Sequence, residues 1–387
     1  MRVVAFFLIA LALLAQPAFA QSPKLDDRPL VRVLTRSFVL PEKFRTLEPI
    51  AAEAGVRLDS VHVETAASSP DEWLADADLV ILDVPRPGDR ARVGTALGDR
   101  LASSGVASIT IGGGPPASTA VEPADARTLA AYYAAGGVRN FRNFFTGVRT
   151  WKQGGDLSAL PPVERSPETG FWHPDAPHVF ETIDAYLAWG EDRWRNAAGR
   201  VGFVTGSGAI GDMQTTLLEA LVERAEAARL IPVIFWFDSR DAEGLSKIAR
   251  PARLDVLVNL THMMNGEARS AEFLDLDIPV IQTVGFREGG VKEWAAATSG
   301  IPARTTAVFL AVPEGWGMID PMVLTAVEDG AEVPLSGQIN ALVGKLAKLV
   351  ALRRKPASDK HLAMLFCENG GEKLGHGSGG MELLRAA

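Results

Sequence analysis

Short apolar runs alternate with segments of helical periodicity along the chain, and this alternation constrains the fold more than any other sequence feature. Four such runs lie in each half: residues 30–34, 57–63, 79–82 and 106–111, then residues 201–205, 231–237, 254–260 and 278–283. Runs of about four to eight residues separated by helical segments are typical of parallel sheets with helices on both faces. The sequence therefore predicts an α/β fold with two tandem Rossmann-like or flavodoxin-like lobes.

The domain boundaries are predicted where the periodicity stops. Residues 150–176 contain several Pro and Gly breakers, so we predict an irregular linker between a first lobe at residues 21–149 and a second lobe at residues 177–356. Asp175 and Pro177 predict the start of the helix that opens the second lobe. Residues 357–387 have the pattern of a strand and a Gly-rich loop, and we interpret them as the truncated start of a third α/β unit.

The first 20 residues have the pattern of a secretory signal peptide. Arg2 precedes an apolar stretch at residues 3–15, which is shorter than the ~20 residues of a membrane-spanning helix, and Ala18-Phe19-Ala20 is a cleavage signature. An N-terminal membrane anchor is the alternative. We predict a periplasmic protein whose mature chain has no membrane span. The lone Cys367 cannot form an internal disulfide in an oxidising compartment, and we expect it to be a small buried hydrophobic residue in a strand.

Charge and nucleotide motifs exclude several functions. With a net charge of −8, the chain lacks the basic character of a nucleic-acid binder. The sequence also contains no P-loop motif, so we predict no ATP site of that type. Residues 206–211 spell G-x-G-x-x-G between a strand and a helix, which is the context of a dinucleotide site. Asp238, however, lies 27 residues beyond the last Gly instead of about 20, so we predict no NAD. We interpret the motif as a tight turn, in which the amides of Gly206 and Gly208 are candidate contacts for an anionic group.

Two segments fall at predicted carboxyl ends of strands, where open α/β sheets bind ligands. Residues 112–114 form a Gly run that is either a ligand loop or a flexible turn. His262 and Met263 follow another strand, and imidazole and thioether groups suit a soft metal or a metal held in a macrocycle; packing under a loop is the alternative. His376 lies in the C-terminal Gly-rich loop. We predict His262 and His376 as metal ligands and His262 and Met263 as ligand contacts.

Four stretches occur in a characteristic order along the chain. They are G-G-V-R-N-F-R-N at residues 136–143; H-P-D-A-P at residues 173–177 with Y-L-A-W at residues 186–189; D-V-L-V-N-L-T at residues 255–261 with I-P-V-I-Q at residues 278–282; and V-P-E at residues 312–314 with Gly317, Ile319 and Pro321, followed by L-R-R-K-P at residues 352–356. Together they resemble the large, tetrapyrrole-binding subunits of cobaltochelatase (CobN) and magnesium chelatase (the H subunit). The resemblance extends from about residue 30 to the end.

This resemblance implies insertion of a divalent metal, such as Co, Mg or Fe, into a tetrapyrrole, either a porphyrin or a corrinoid. It also implies two partners, an AAA+ ATPase subunit and an integrin-domain subunit. Of the matched positions, Glu314 is the predicted catalytic base for the pyrrole protons, with a solvated or helix-capping acid as the alternative. Trp316 replaces the Asp that family members have before the Gly, and it offers an aromatic face to the ring. His173, in the second stretch, is a further predicted ligand contact.

The leading interpretation is an exported CobN-like chelatase homologue that binds a tetrapyrrole and inserts or removes its metal. Because a periplasm contains no ATP, an outer-membrane uptake receptor is the alternative partner. Two other functions remain as alternatives: a non-catalytic periplasmic tetrapyrrole or corrinoid carrier, and a generic two-lobed periplasmic small-molecule receptor. Family members are much longer than these 387 residues, so we expect the N-terminal portion of a chelatase and an incomplete site.

Overall fold

The computed structural model describes residues 27–66, 70–97, 99–298 and 300–361, and it divides into two compact units. Unit 1 contains the residues up to Ser166 together with Gly208–Gln214, and unit 2 contains Pro167–Ser207 and the residues from Thr215 onward. Gly208–Gln214, which the sequence assigned to the second lobe, therefore folds with unit 1. The predicted signal peptide, Cys367, His376 and most of the predicted third α/β unit lie outside the described residues.

Within the described residues, unit 1 is built on a five-stranded sheet with the order β2-β1-β3-β4-β5. Its strands are β1 (Leu30–Thr35), β2 (Arg57–His62), β3 (Leu79–Asp83), β4 (Ser108–Ile111) and β5 (Ala117–Thr119). Its helices are α1 (Pro41–Glu53), α2 (Val63–Ala66), α3 (Pro70–Leu74), α4 (Pro87–Leu97), α5 (Arg100–Ser103), α6 (Pro123–Ala135) and α7 (Gly137–Lys152). Strands β1 to β4 pair in parallel, and β5 is antiparallel to β4. This order is flavodoxin-like, and it reverses between β1 and β3.

Unit 2 is built, in the part of the chain that the structure describes, on a seven-stranded sheet with the order β12-β11-β10-β9-β7-β8-β6. Its strands are β6 (Gly170–Trp172), β7 (Gly199–Val204), β8 (Leu230–Trp236), β9 (Val256–Asn259), β10 (Val280–Gly285), β11 (Ile319–Glu328) and β12 (Ala331–Pro334). Helix α9 (Ser207–Gly211) begins in unit 2, but its residues from Gly208 onward belong to unit 1. The other helices of unit 2 are α8 (Ile183–Trp189), α10 (Thr216–Ala227), α11 (Ser246–Ala252), α12 (Gly266–Leu276), α13 (Val291–Ala296), α14 (Ala303–Thr306), α15 (Val312–Trp316) and α16 (Ser336–Arg354). Strands β7 to β11 pair in parallel, and the two edge strands are antiparallel. The predicted fold of two tandem α/β lobes is confirmed.

The central strands of unit 1 are buried on both faces, which explains their continuous apolar runs. In β3, Leu79 and Ile81 pack into one hydrophobic cluster, and Val80 and Leu82 pack into another. Residues of α1, α6 and α7 belong to the first cluster, and residues of α4 belong to the second. Burial of each such side chain contributes about 1.5–3 kcal/mol, so both faces of the sheet are anchored.

Several elements differ from the sequence prediction. The helix expected from Pro177 begins at Ile183, because Thr182 caps it by accepting a hydrogen bond from a backbone N–H of the first turn (3.2 Å). Phe180 is drawn away from that helix by two backbone hydrogen bonds with Phe171. The predicted linker contains the end of α7 and strand β6, and the β11–β12 hairpin was not predicted. Among the described helices, none has both the length and the apolar character needed to cross a membrane.

Candidate functional site

The point where strand order reverses in the unit 1 sheet is filled by charged and hydroxyl side chains. Lys43 of α1 donates to Asp83 Oδ2 at the end of β3 (2.8 Å) and pairs with Asp212 Oδ1 (3.0 Å). Tyr133 of α6 donates to the same Asp83 oxygen (3.0 Å), and Thr35 at the end of β1 donates to the Asp83 carbonyl (2.8 Å). This polar cluster occupies the edge at which open α/β sheets commonly bind ligands.

Charge balance explains how a lysine is buried in this cluster. Burial lowers the pKa of Lys43, but the charges of Asp83 and Asp212 outweigh that effect and hold its pKa above the usual value. Burial and the charge of Asp83 raise the pKa of the Tyr133 hydroxyl, which therefore stays a neutral donor. Partial burial raises the pKa of Asp212, and the pairing with Lys43 opposes this without reversing it. Because its members satisfy one another, we assign the cluster a structural role.

The Gly run after β4 has a packing explanation. Gly112 and Gly113 have φ values of +83° and +66°. A Cβ on Gly112 would lie 2.8 Å from Val84 O, and a Cβ on Gly113 would lie 2.9 Å from Arg86 O. Only glycine accommodates both the left-handed backbone and the close approach of the neighbouring loop. Of the two interpretations of this run, a turn accounts for it without a ligand.

Gly206 and Gly208, the predicted anion contacts, lie at the turn from β7 into α9. Neither has a left-handed backbone; a Cβ on Gly206 would lie 3.8 Å from Thr261 Oγ1, and a Cβ on Gly208 would meet open space. The glycines of a dinucleotide site are needed for a tight turn and for close approach of the pyrophosphate. At both positions of this turn, the backbone and the surrounding space would accept a residue with a side chain. Asp238, the acid of the motif, is paired with Arg240 (2.9 Å).

His173 lies in the core of unit 2, where both of its ring nitrogens are engaged. Its Nδ1 accepts a hydrogen bond from the Asp175 backbone N–H (3.1 Å), and its Nε2 lies 3.2 Å from Glu226 Oε1. The ring centroids of Trp189 and Trp194 lie 4.8 and 6.0 Å from the centroid of the imidazole. Burial lowers the pKa of His173, and the hydrogen bond with Glu226 opposes this shift. The geometry gives His173 a structural role in place of the predicted ligand contact.

At the carboxyl edge of the unit 2 sheet, two buried amides support the segment that follows β10. Asn259 Nδ2 at the end of β9 donates to Gln282 Oε1 (2.8 Å), and Gln282 Nε2 donates to Phe309 O (2.8 Å). Phe309 lies in the π-helical turn Ala307–Ala311. Such turns interrupt the regular hydrogen-bond ladder of a helix and occur frequently at functional sites. The amide pair fixes this turn against the sheet.

His262 lies beside that turn, and its neighbour Met263 is buried. His262 is exposed, and its ring lies 5.5 Å from the Phe309 ring in an edge-to-face arrangement. Met263 is buried in the hydrophobic cluster of unit 2, which gives it a packing role in place of the predicted ligand contact. Across the described ranges, no three His, Cys, Asp or Glu side chains converge to hold a metal. The second predicted metal ligand, His376, lies outside those ranges.

A cavity of about 640 Å³ lies in unit 2 near the amino ends of β10 and β11. Small-molecule sites typically have volumes of about 300–1,000 Å³. The walls are formed by residues of α12, α15, the first residues of β10 and β11, and the end of α16. The lining includes five large apolar side chains and three charged ones: Phe273, Leu274, Ile278, Trp316 and Ile319, with Asp277, Glu314 and Arg353.

Glu314 and Trp316 reach this cavity from the short helix α15. Pro313 suits the first turn of α15, and Gly317 ends the helix with a φ of +107°. The Trp316 ring packs over Gly266, where any side chain would collide with it. The structure therefore brings the predicted catalytic acid, which is exposed, and the predicted aromatic contact, which is half-buried, to one cavity.

The other predicted residues lie elsewhere, and one lining residue was missed. His262 follows the carboxyl end of β9, whereas the cavity lies toward the amino ends of the parallel strands β10 and β11, so the two occupy opposite edges of the sheet. Arg353 was not predicted as a site residue. A basic residue near the end of an apolar helical pattern indicates a helix C-terminus, but it does not indicate what that end faces.

Comparison with known proteins identifies relatives of the chain. A family model described as CobN/Magnesium Chelatase matches residues 130–386. The chloroplastic magnesium-chelatase subunit ChlH of Oryza sativa, in both the indica and japonica subspecies, is 24% identical over 262 residues, which are 60% of this chain and 19% of ChlH. The solved catalytic subunit of cobaltochelatase from Mycobacterium tuberculosis is 20% identical, with a TM-score of 0.59 over 86% of this chain and 28% of that chain.

These matches differ in what they establish. The chain spans 19% of the length of the curated relatives and 28% of the solved one. The likeness to the cobaltochelatase subunit shows a shared fold. The family model covers more than half of the chain, and the chain therefore belongs to the CobN/magnesium chelatase family.

Proposed function

We propose that this chain binds a tetrapyrrole in the cavity of unit 2 and takes part in inserting or removing the metal of the ring. Family membership supports the class of ligand, because the relatives are a magnesium-chelatase subunit and the catalytic subunit of a cobaltochelatase. One observation supports the location: an aromatic ring, exposed aliphatic side chains and a carboxylate line the same cavity.

The apolar wall of the cavity suits a flat, largely apolar macrocycle. Leu274 is 81% exposed and Ile319 is 47% exposed, and both lie on the lining. Exposed apolar groups at a concave surface mark binding sites, and covering one such side chain contributes about 1.5–3 kcal/mol. The half-buried Trp316 adds a ring against which a second π-system can stack. A bound tetrapyrrole would cover all three side chains.

Glu314 supplies the acid–base group that metal exchange requires. When a divalent metal enters a free-base ring, two pyrrole N–H bonds break and two protons leave. A carboxylate accepts one proton, passes it to water and then accepts the next; in metal removal the carboxylic acid returns protons to the ring. Glu314 is exposed in the first turn of α15, so its carboxylate exchanges protons with solvent between the two transfers.

The competing location is the carboxyl edge of the same sheet, which open α/β proteins commonly use. We favour the cavity because it combines volume, exposed apolar surface and a carboxylate. At the carboxyl edge, the Asn259–Gln282 pair is buried and its amides bond to each other and to the π-helical turn. His262 is exposed at that edge, so replacing it should weaken ring binding if the ring binds there.

Ring binding is tested by absorbance titration of the full chain with metal-free mesoporphyrin IX. Leu274→Ser should weaken binding about tenfold, because it removes apolar wall without disturbing the core. Leu352→Ser is the matched control, since Leu352 is also exposed (52%) on a helix of unit 2 but does not line the cavity. If His262→Ala weakens porphyrin binding and Leu274→Ser does not, the ring binds at the carboxyl edge and not in the cavity. No spectral shift with porphyrin, haem or corrinoid would contradict ring binding altogether.

Metal handling is tested by following Co²⁺, Mg²⁺ or Fe²⁺ insertion into the same porphyrin, with and without AAA+ ATPase and integrin-domain subunits. Glu314→Gln should slow insertion about a hundredfold while leaving ring affinity unchanged. Glu223→Gln, an exposed glutamate of α10 away from the cavity, should insert metal at the parental rate. A parent chain that binds the ring but transfers no metal under any of these conditions would instead be a tetrapyrrole carrier.

A further inference from the structure

Arg353 is, among the described residues, the one cation on the lining of the cavity. Its Nη1 donates to the backbone carbonyl of Asp277 at the end of α12. Two carboxylates, those of Asp277 and Glu314, lie on the same lining, yet within the described ranges neither forms an ion pair with Arg353. Among the described residues, the guanidinium is therefore held by a neutral carbonyl, and no carboxylate there balances its charge.

The remaining donors of Arg353 have a defined geometry. A guanidinium carries five N–H groups in a planar fork, and the Nε–H and one N–H of Nη2 point in the same direction. Their spacing matches the two oxygens of a carboxylate, which such an edge binds through two parallel hydrogen bonds. Nη1 is the atom that donates to Asp277 O, whereas the edge formed by Nε and Nη2 has no hydrogen-bond partner in the part of the chain that the structure describes.

We propose that Arg353 binds a carboxylate on the periphery of the tetrapyrrole, so that the cavity selects rings with acidic side chains over their uncharged esters. This inference rests on the proposed function. The macrocycle itself is apolar and meets Trp316 and Leu274, whereas its acidic side chains must avoid the charges of Asp277 and Glu314. Arg353 is the lining position where such a side chain is attracted, and it therefore sets the orientation of the ring as well as the choice of ring.

The test compares mesoporphyrin IX with its dimethyl ester, titrated into the full chain under identical cosolvent. The parent should bind the acid about tenfold more tightly than the ester, the effect of one solvent-screened charge-assisted contact. In Arg353→Gln this preference should disappear, chiefly through weaker binding of the acid. Arg353→Lys should keep part of the preference, because a lysine retains the charge but not the fork.

Lys348→Gln is the matched control, since Lys348 is an exposed cation of the same helix that does not line the cavity, and it should keep the parental preference. Equal affinity of the parent for acid and ester would overturn the inference while leaving ring binding intact. Equal loss of acid and ester binding in Arg353→Gln would also overturn it, because that result indicates a structural role. Failure of the proposed function is distinguishable, since then neither compound binds the parent.

Discussion

At the scale of single residues, burial decides which polar side chains hold the fold and which remain available for a ligand. Lys43 and His173, the latter a predicted ligand contact, are both buried and form hydrogen bonds with neighbouring carboxylates. Glu314 and Arg353 are exposed and line a cavity. The family resemblance identified Glu314 and Trp316 together because both lie in the same short motif. It could not pair them with Arg353, which comes from a distant segment.

Replacing Lys43 with methionine tests the electrostatic role of the buried cluster. The change leaves Asp83 and Asp212 without their cation, so Lys43→Met should lower the free energy of unfolding of unit 1 by about 3–5 kcal/mol. Lys152→Met removes an ion pair of similar length with Asp78 (2.7 Å), but the Lys152 side chain is half exposed, so this change should cost about 1 kcal/mol or less. Urea unfolding measures both. Equal losses in the two variants would refute the role of burial.

His173 predicts a pH dependence of stability. Because burial lowers its pKa in the folded state, the unfolded chain binds the proton at a higher pH than the folded chain does. Its stabilising contribution is therefore fully present above the usual histidine value of about 6.5, and it is lost as the pH falls from there through the lower folded value. The melting temperature of the parent should fall across this window. The fall should be shallower in His173→Gln, and it should stay parental when the exposed His178 is changed to Gln.

At the scale of elements, the sequence predicted strands better than helix ends and hairpins. The parallel strands were predictable because burial on both faces produces continuous apolar runs. The start of α8 was missed because the capping preference of Thr182 competes with that of Asp175, and only the pairing of Phe180 with Phe171 decides between them. The β11–β12 hairpin did carry a signal. Asp329-Gly330 has two positive φ values, +50° and +70°, as a type I′ turn requires.

The junction of α6 and α7 gives a prediction at this scale. Gly136 has a φ of +66°, and a Cβ there would lie 2.6 Å from Gly211 O. Gly136→Ala should therefore destabilise unit 1 by about 1–3 kcal/mol or more, since both the backbone conformation and the contact oppose a side chain. Gly208→Ala, in the G-x-G-x-x-G segment, should change stability by less than about 1 kcal/mol because α9 has open space there. Thermal melting of both variants checks this contrast, and a reversed order would refute it.

At the scale of the whole molecule, family and fold were predictable and activity was not. The order of four motifs led to the family that the comparison supports, and the alternation of strands and helices led to its two α/β lobes. The chain spans 28% of the length of the solved relative, so the proposed metal chemistry is tested both alone and with the proposed partner subunits. The sequence also did not show which side chains are buried. Met263 follows the carboxyl end of a strand, where ligands were expected, yet it is buried in the core.

We also propose that the chain is exported, as the pattern of its first 20 residues supports. Expression of the full gene in a bacterium should give a periplasmic protein whose first residue, by mass spectrometry, is Gln21. Ala20→Phe should block cleavage, because the position before the cut requires a small residue, whereas Ser22→Ala should be processed normally. A cytoplasmic chain that retains residues 1–20 would contradict export and would favour the ATP-driven partners over an uptake receptor.

The placement of Gly208–Gln214 limits how this protein can be divided or recombined. These seven residues supply Asp212 to Lys43, although they follow β7, which belongs to the other sheet. A chain break after Ser166 would separate the first lobe from Asp212. A break after Gln214 would separate β7 from the remaining parallel strands of the unit 2 sheet. No single breakpoint therefore yields two fragments that each retain their own contacts. In gene shuffling or in evolution by domain exchange, we therefore expect the two lobes to be transferred together.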